Sequence, residues 1–135
     1  MSIIKRFEDI EAWQLGREIY KEIFQLTCQG ELQRDFGLKD QIRRSSGSIM
    51  DNIAEGFERD GNKEFRQFLS IAKGSAAEVK SQLYRMLDSN YITKDKFTDL
   101  YYKVDKISAK LTNLIKYLNS SNKKGVKYST KNSEH

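Results

Sequence analysis

Seven apolar residues do most to limit what this chain can become. Phe97, Leu100, Val104, Ile107, Leu111, Leu114 and Leu118 recur at alternating steps of three and four. That is the period of a helix that keeps one seam against partner helices, and sustained over three heptads it implies left-handed, coiled-coil-type packing. A second stretch repeats the pattern with Phe65, Phe68, Ala72, Ser75, Val79 and Met86, its phase slipping near Leu83. The 135 residues contain no proline, so no ring removes a backbone donor or kinks a helix within these segments.

Helical periodicity runs along most of the chain and breaks at 29–35, 59–62 and 90–93. Gly30 is a candidate stop, Asp35 an N-cap, Gly61 and Asn62 a second break, Asn90 another stop, and Thr93 a start. The spacing predicts helices over about residues 8–28, 36–58, 63–89 and 94–119. Breaks this short send each helix back along the one before it. The expected fold is all-α, an up-down-up-down antiparallel four-helix bundle within residues 1–119. Residues 120–135 lack periodicity and read as a disordered basic tail.

Composition removes several functional classes. Cys28 is the single cysteine, so no internal disulfide can form, and the only histidine is His135 at the end of the chain. Without an internal histidine there is no nucleophile-activating pair and no mixed His/Cys metal site. The sequence therefore predicts no catalytic residue, no cofactor, no metal and no small-molecule substrate. No window approaches the ~20 apolar residues of a membrane span, nor a secretory leader, so a cytoplasmic protein without membrane contact is expected.

Two helices carry more adhesive surface than one bundle needs. The first spreads Trp13, Leu15, Gly16, Tyr20, Phe24 and Leu26, with Ile19 and Ile23, over half its circumference. The third has a second row opposite its apolar seam: Ser70, Gly74, Ala77 and Ser81. A solvated face of small residues would look the same. Together, however, the two features predict self-association.

The second helix has Leu38, Ile42, Ser46, Ile49, Ile53 and Phe57 as its core face, and Gln41, Arg44, Ser48, Asn52 and Glu55 along a neighbouring polar stripe. Arg44, Ser48 and Asp51 or Glu55 fall within reach of one another on adjacent turns. Arg43 and Arg44 could contact phosphate, or the stripe could be a buried polar network that fixes register or subunit pairing. The second reading is favoured, because Asp51, Glu55 and Glu58 leave this helix net negative.

Gln41-Ile-Arg-Arg-Ser-Ser-Gly-Ser-Ile49, followed by Asn52-Ile-Ala-Glu-Gly56, resembles the signature of the bacterial four-helix bundle proteins encoded within intervening sequences of 23S ribosomal RNA genes. The resemblance extends to Phe7 through Gln14, to Phe65 through Ser75 and to Glu78. That family is similar to the accessory protein of diversity-generating retroelements, a basic bundle that associates with a reverse transcriptase and nucleic acid. The resemblance implies a ring-like homopentamer with a central channel, and it brings no established biochemical activity. Ser45 and Ser46 stand where the family prefers alanine-like residues.

Charge places limits on a nucleic-acid role. The formal net charge is +5, but the tail holds Lys123, Lys124, Lys127 and Lys131 against Glu134. Residues 8–28 are net acidic and residues 93–119 net basic. Lys96, Lys103 and Lys110 lie one heptad apart, where bundle helices place charges for interhelical pairing with an acidic neighbour. Candidate nucleic-acid contacts are Arg43, Arg44, Lys103, Lys106, Lys110, Lys123 and Lys124. The expected function is a non-catalytic oligomeric module binding RNA or DNA through backbone charge, beside a nucleic-acid enzyme. The alternative is a scaffold whose charges are paired internally.

Overall fold

The computed structural model describes residues 4–120. Four helices form the bundle: α1 (Glu11–Thr27), α2 (Phe36–Glu58), α3 (Asn62–Asp88) and α4 (Lys94–Ser120). Consecutive helices pack side by side, and α1 closes the bundle against α4. The expected tail lies outside the described residues, except that Ser120 is still helical.

The helix ends follow their local chemistry. The Asp35 side chain caps α2, accepting from the Leu38 backbone N–H at 3.2 Å. Thr93 Oγ1 does the same for α4, accepting from Lys96 N–H at 3.1 Å. Between α3 and α4, Asn90 adopts φ +61°. Its N–H donates to Leu87 O and that of Tyr91 to Met86 O, a Schellman turn that satisfies two helix-end carbonyls. Gly61, with φ +88°, precedes α3 in a conformation that only glycine adopts without strain.

Two expectations are corrected. The first helix begins three residues later than its periodicity suggests. Phe7–Asp9 form a 3-10 turn, and Ile10 is extended (φ −78°, ψ 121°). That break turns Ile10 into the core, where it is 3% exposed, while Phe7 packs edge-on against Trp13 at 5.2 Å. A second 3-10 turn, Gly30–Arg34, fills the first connection and buries Leu32.

The α3 seam is also different. Phe65, Leu69, Ala72, Ala76, Val79, Leu83 and Met86 are all buried, a strict four-three repeat with no slip. Ser75 is buried beside it, and Phe68 stands at its edge, half-buried. From α4, Leu100, Val104, Ile107, Leu111, Leu114 and Leu118 are buried as expected, with Phe97 packed at the rim. Removing such a side chain from water contributes about 1.5–3 kcal/mol.

Candidate functional site

The α2 stripe does not form one cluster. Arg44 pairs one turn back with Asp40, and Glu55 pairs one turn forward with Arg59 Nη2 at 2.9 Å. Asp51 takes part in neither pair. Between them the stripe turns toward α3. Ser48 Oγ and Ser75 Oγ lie 2.9 Å apart, and Asn52 Nδ2 donates to both Ser48 Oγ and Ser48 O at 2.8 Å. Arg85 Nη1 donates to Gln41 Oε1 at 2.7 Å. Gly56, one turn beyond Asn52, is buried against Phe68 and Phe65. This side of α2 is therefore an interhelical polar seam, though not a buried one: Gln41, Arg44 and Glu55 are exposed, and Ser48 and Asn52 half-buried.

Shallow concavities flank it. One of about 480 Å³ lies on the α1 side, lined by Tyr20, Arg43, Gly47, Met50 and Asp51. The other, about 610 Å³, lies on the α3 side, lined by Gln41, Ser45, Glu78 and Gln82. Both mix signs of charge, and the hydroxyl of Ser48, which lines both, is bonded to Ser75 and Asn52.

The sequence-derived cations have different fates. Arg43 is half-buried and engaged within the chain: its Nε donates to Thr27 Oγ1 at 2.7 Å, and its guanidinium stacks 4.1 Å from the Phe24 ring. Its Nη2 also reaches Cys28 Sγ at 3.5 Å. Lys110 pairs with Glu11 at 3.0 Å, while Glu22 accepts from Lys103 at 2.8 Å and lies 3.5 Å from Lys96. The interhelical pairing suggested by heptad spacing is thus present. The hydrogen bond that Lys103 donates to Glu22, aided by Asp99, holds the Lys103 pKa above the ordinary lysine value despite partial desolvation. Lys106 is exposed and has no ion pair among the described residues. Lys123 and Lys124 lie outside those residues.

Sequence reasoning missed a row of cations on α3. Arg66, Lys73 and Lys80 recur every seven residues and so share one edge of the helix. Lys80 identifies that edge as the one facing α4, because its Nζ lies 3.0 Å from Asp105 Oδ1. Arg66, Lys73 and Lys116 have no ion pair among the described residues. Charge is consequently segregated. The α3–α4 hairpin holds eleven basic and six acidic residues, whereas α1 and α2 together hold five and seven.

The surplus apolar surface of α1 is largely covered within one chain. Trp13, Leu15 and Leu26 pack against the core, and Phe24 remains 40% exposed beneath Arg43. On α3, by contrast, Ser70, Gly74, Ala77 and Ser81 are all exposed, and a β-carbon added at Gly74 would meet nothing within 4 Å. Glu78 is exposed beside that row. Among the described residues no three His, Cys, Asp or Glu side chains are grouped to hold a metal ion, and no helix is long and apolar enough to cross a membrane.

Comparison with known proteins agrees with the architecture. No curated protein matches the chain significantly. A crystal structure of a protein of unknown function from the S23 ribosomal protein family of Bacteroides thetaiotaomicron VPI-5482 is 25% identical, with a TM-score of 0.72. The match covers 78% of this chain and 95% of that one. The family model for 23S rRNA-intervening sequence proteins matches residues 8–113. These residues include α1, α2, α3 and most of α4, and the chain belongs to the 23S rRNA-intervening sequence protein family.

Proposed function

We propose that the protein is a non-catalytic, homo-oligomeric bundle, pentameric as the family resemblance implies, that binds RNA or DNA in the cytoplasm through backbone charge. The observation that carries this reading is the charge segregation. The α3–α4 hairpin has five more basic than acidic residues, of which Glu11 and Glu22 of α1 offset two, on the α1 side of α4 alone. A polyanion gains from such a surface by releasing condensed counterions. Repetition around an assembly would multiply the contacts. The exposed small-residue row on α3 supports self-association, because it admits the close approach of another helix.

Binding should weaken steeply with salt and show little sequence preference. Fluorescence anisotropy with RNA, together with light scattering on a sizing column at ~50 and ~200 mM salt, reads affinity and subunit number together. Arg66→Gln and Lys106→Gln should each lower affinity and shallow the salt slope. An absence of binding at ~50 mM salt, or salt-independent binding, refutes the proposal. The pairing of Lys96, Lys103 and Lys110 with α1 favours a second reading, a protein-interaction scaffold; capture of a protein partner without nucleic acid would support it.

A further inference from the structure

The α3–α4 edge carries aromatic rings as well as charge. Tyr84 of α3 is 50% exposed. Its ring lies 4.8 Å from Phe97 and 5.8 Å from Tyr101 of α4, and those two rings are 5.5 Å apart. Lys80 joins the cluster, its Nζ 5.3 Å from the Tyr101 ring. Read along α3, Arg66, Lys73 and Lys80 are followed four residues later by Tyr84. At the α-helical rise the row is about 27 Å long, with three cations leading to a braced ring. Among the described residues its only carboxylate contact is Asp105, which engages Lys80.

A ring fixed by two neighbours, yet half open, loses little freedom when a planar partner settles on it. Single-stranded binding surfaces combine two such elements, cations that follow the backbone and aromatic faces that stack bases. Resting on the nucleic-acid reading above, we propose that this edge is a platform for single-stranded nucleic acid. Arg66, Lys73 and Lys80 follow the phosphates, and Tyr84, braced by Phe97 and Tyr101, stacks an unpaired base. A duplex keeps its base faces inside the stack and gains only the electrostatic part. An acidic peptide meets the cations but offers the ring no base.

The test compares full-length protein binding to a fluorescein-labelled single-stranded RNA of about 12 nucleotides with binding to the corresponding duplex. Single strands should bind more tightly. Tyr84→Ala should weaken single-strand binding roughly tenfold, leaving duplex affinity and the salt slope unchanged. Tyr84→Phe, which keeps the ring, should retain wild-type binding. Lys73→Gln should weaken both ligands and reduce the salt slope by about one. Thermal unfolding run alongside confirms that each variant is folded. If Tyr84→Ala binds single strands as wild type does while Lys73→Gln weakens them, the platform is refuted and the electrostatic reading survives. If neither RNA binds at ~50 mM salt, both fall.

Discussion

Gly56 determines how closely α2 and α3 approach. A β-carbon added there would lie 2.6 Å from Phe68 Cβ, 3.2 Å from Phe65 Cδ1 and 3.4 Å from Phe65 O. No rotamer change relieves the first contact, because Phe68 Cβ moves only with the α3 backbone. Gly56→Ala must therefore push the helices apart or bend one of them. Overpacking of this kind costs about 1–3 kcal/mol. Since the obstacle is anchored to the backbone, the upper half of that range applies. Replacing a mid-helix glycine offsets about 0.8–1 kcal/mol of it. The net expectation is a loss of about 1–2 kcal/mol, or a Tm lower by roughly 4–8 °C.

Urea unfolding at one fixed protein concentration measures the effect, since the midpoint of an associating protein depends on concentration. Gly47→Ala is the internal control. Its added carbon would sit 3.6 Å from Tyr20 Cε1, an ordinary contact, so this variant should gain up to about 1 kcal/mol. If Gly56→Ala is as stable as wild type, or is stabilised like Gly47→Ala, the interface yields freely and the reasoning fails.

Four other perturbations separate the roles assigned above. Glu22→Gln removes the partner of Lys96 and Lys103; these pairs are partly exposed, so stability should fall by less than about 1 kcal/mol, while RNA affinity rises. A drop in affinity would contradict charge segregation as the basis of binding. Gly74→Ala should raise chain stability by about 0.5–1 kcal/mol yet weaken self-association, and unchanged sedimentation would exclude the small-residue row from the interface. Asp35 has a lowered pKa because it accepts from the Leu38 N–H and the Tyr91 hydroxyl. Its contribution is present above the ordinary aspartate value and lost as pH falls through the lowered one, so Asp35→Asn should flatten the acid limb of a Tm-against-pH profile. Arg43→Ala should cost about 1–2 kcal/mol through Thr27 and Phe24 and leave RNA affinity near wild type; a large affinity loss would place Arg43 at the interface instead.

What could be read beforehand was what a single helix encodes by itself. The α4 seam, the Asp35 and Thr93 caps and the Asn90 stop each depend on residues within a few positions of one another. Apart from the pairing of the Lys96, Lys103 and Lys110 row with α1, features that a neighbouring helix decides were harder to read. Phe65 can begin either a three-four or a four-three repeat in α3, since Phe68 and Leu69 are both apolar. Gly56 across the interface decides between them: Phe68 Cβ occupies the space its missing side chain leaves, which holds Phe68 at the rim while Leu69 goes inside. Ile10 likewise continues the apolar pattern of α1 but enters the core by leaving the helix. The cation row failed for the same reason. Glu64 and Glu78 are interspersed with Arg66, Lys73 and Lys80 in sequence, and only the Lys80–Asp105 contact shows which edge faces α4.

The most specific block of the sequence has a packing role. Ser48, Asn52 and Gly56 recur every four residues and follow one line of α2, the line that meets α3 through Ser75, Phe65 and Phe68. Ser45 and Ser46, also buried, return their hydroxyls to Gln41 O and Ile42 O, so their polarity is satisfied within α2 itself. On the opposite flank, Gly16 of α1 brings its backbone to 3.4–3.7 Å, measured from an added β-carbon, of Ile49 and Met50. Close approach on both flanks requires small residues and self-satisfied hydroxyls, and it leaves the signature little freedom to contact anything else. Arg43 illustrates the consequence, since its guanidinium is already engaged by Thr27 and Phe24. A block that sets two interhelical distances leaves α2 little surface for other contacts, and the proposed nucleic-acid reading therefore places its contacts elsewhere. The proposed contacts lie on the outer α3–α4 edge, where Arg66 and Lys73 have no ion pairs among the described residues and Tyr84 is half open.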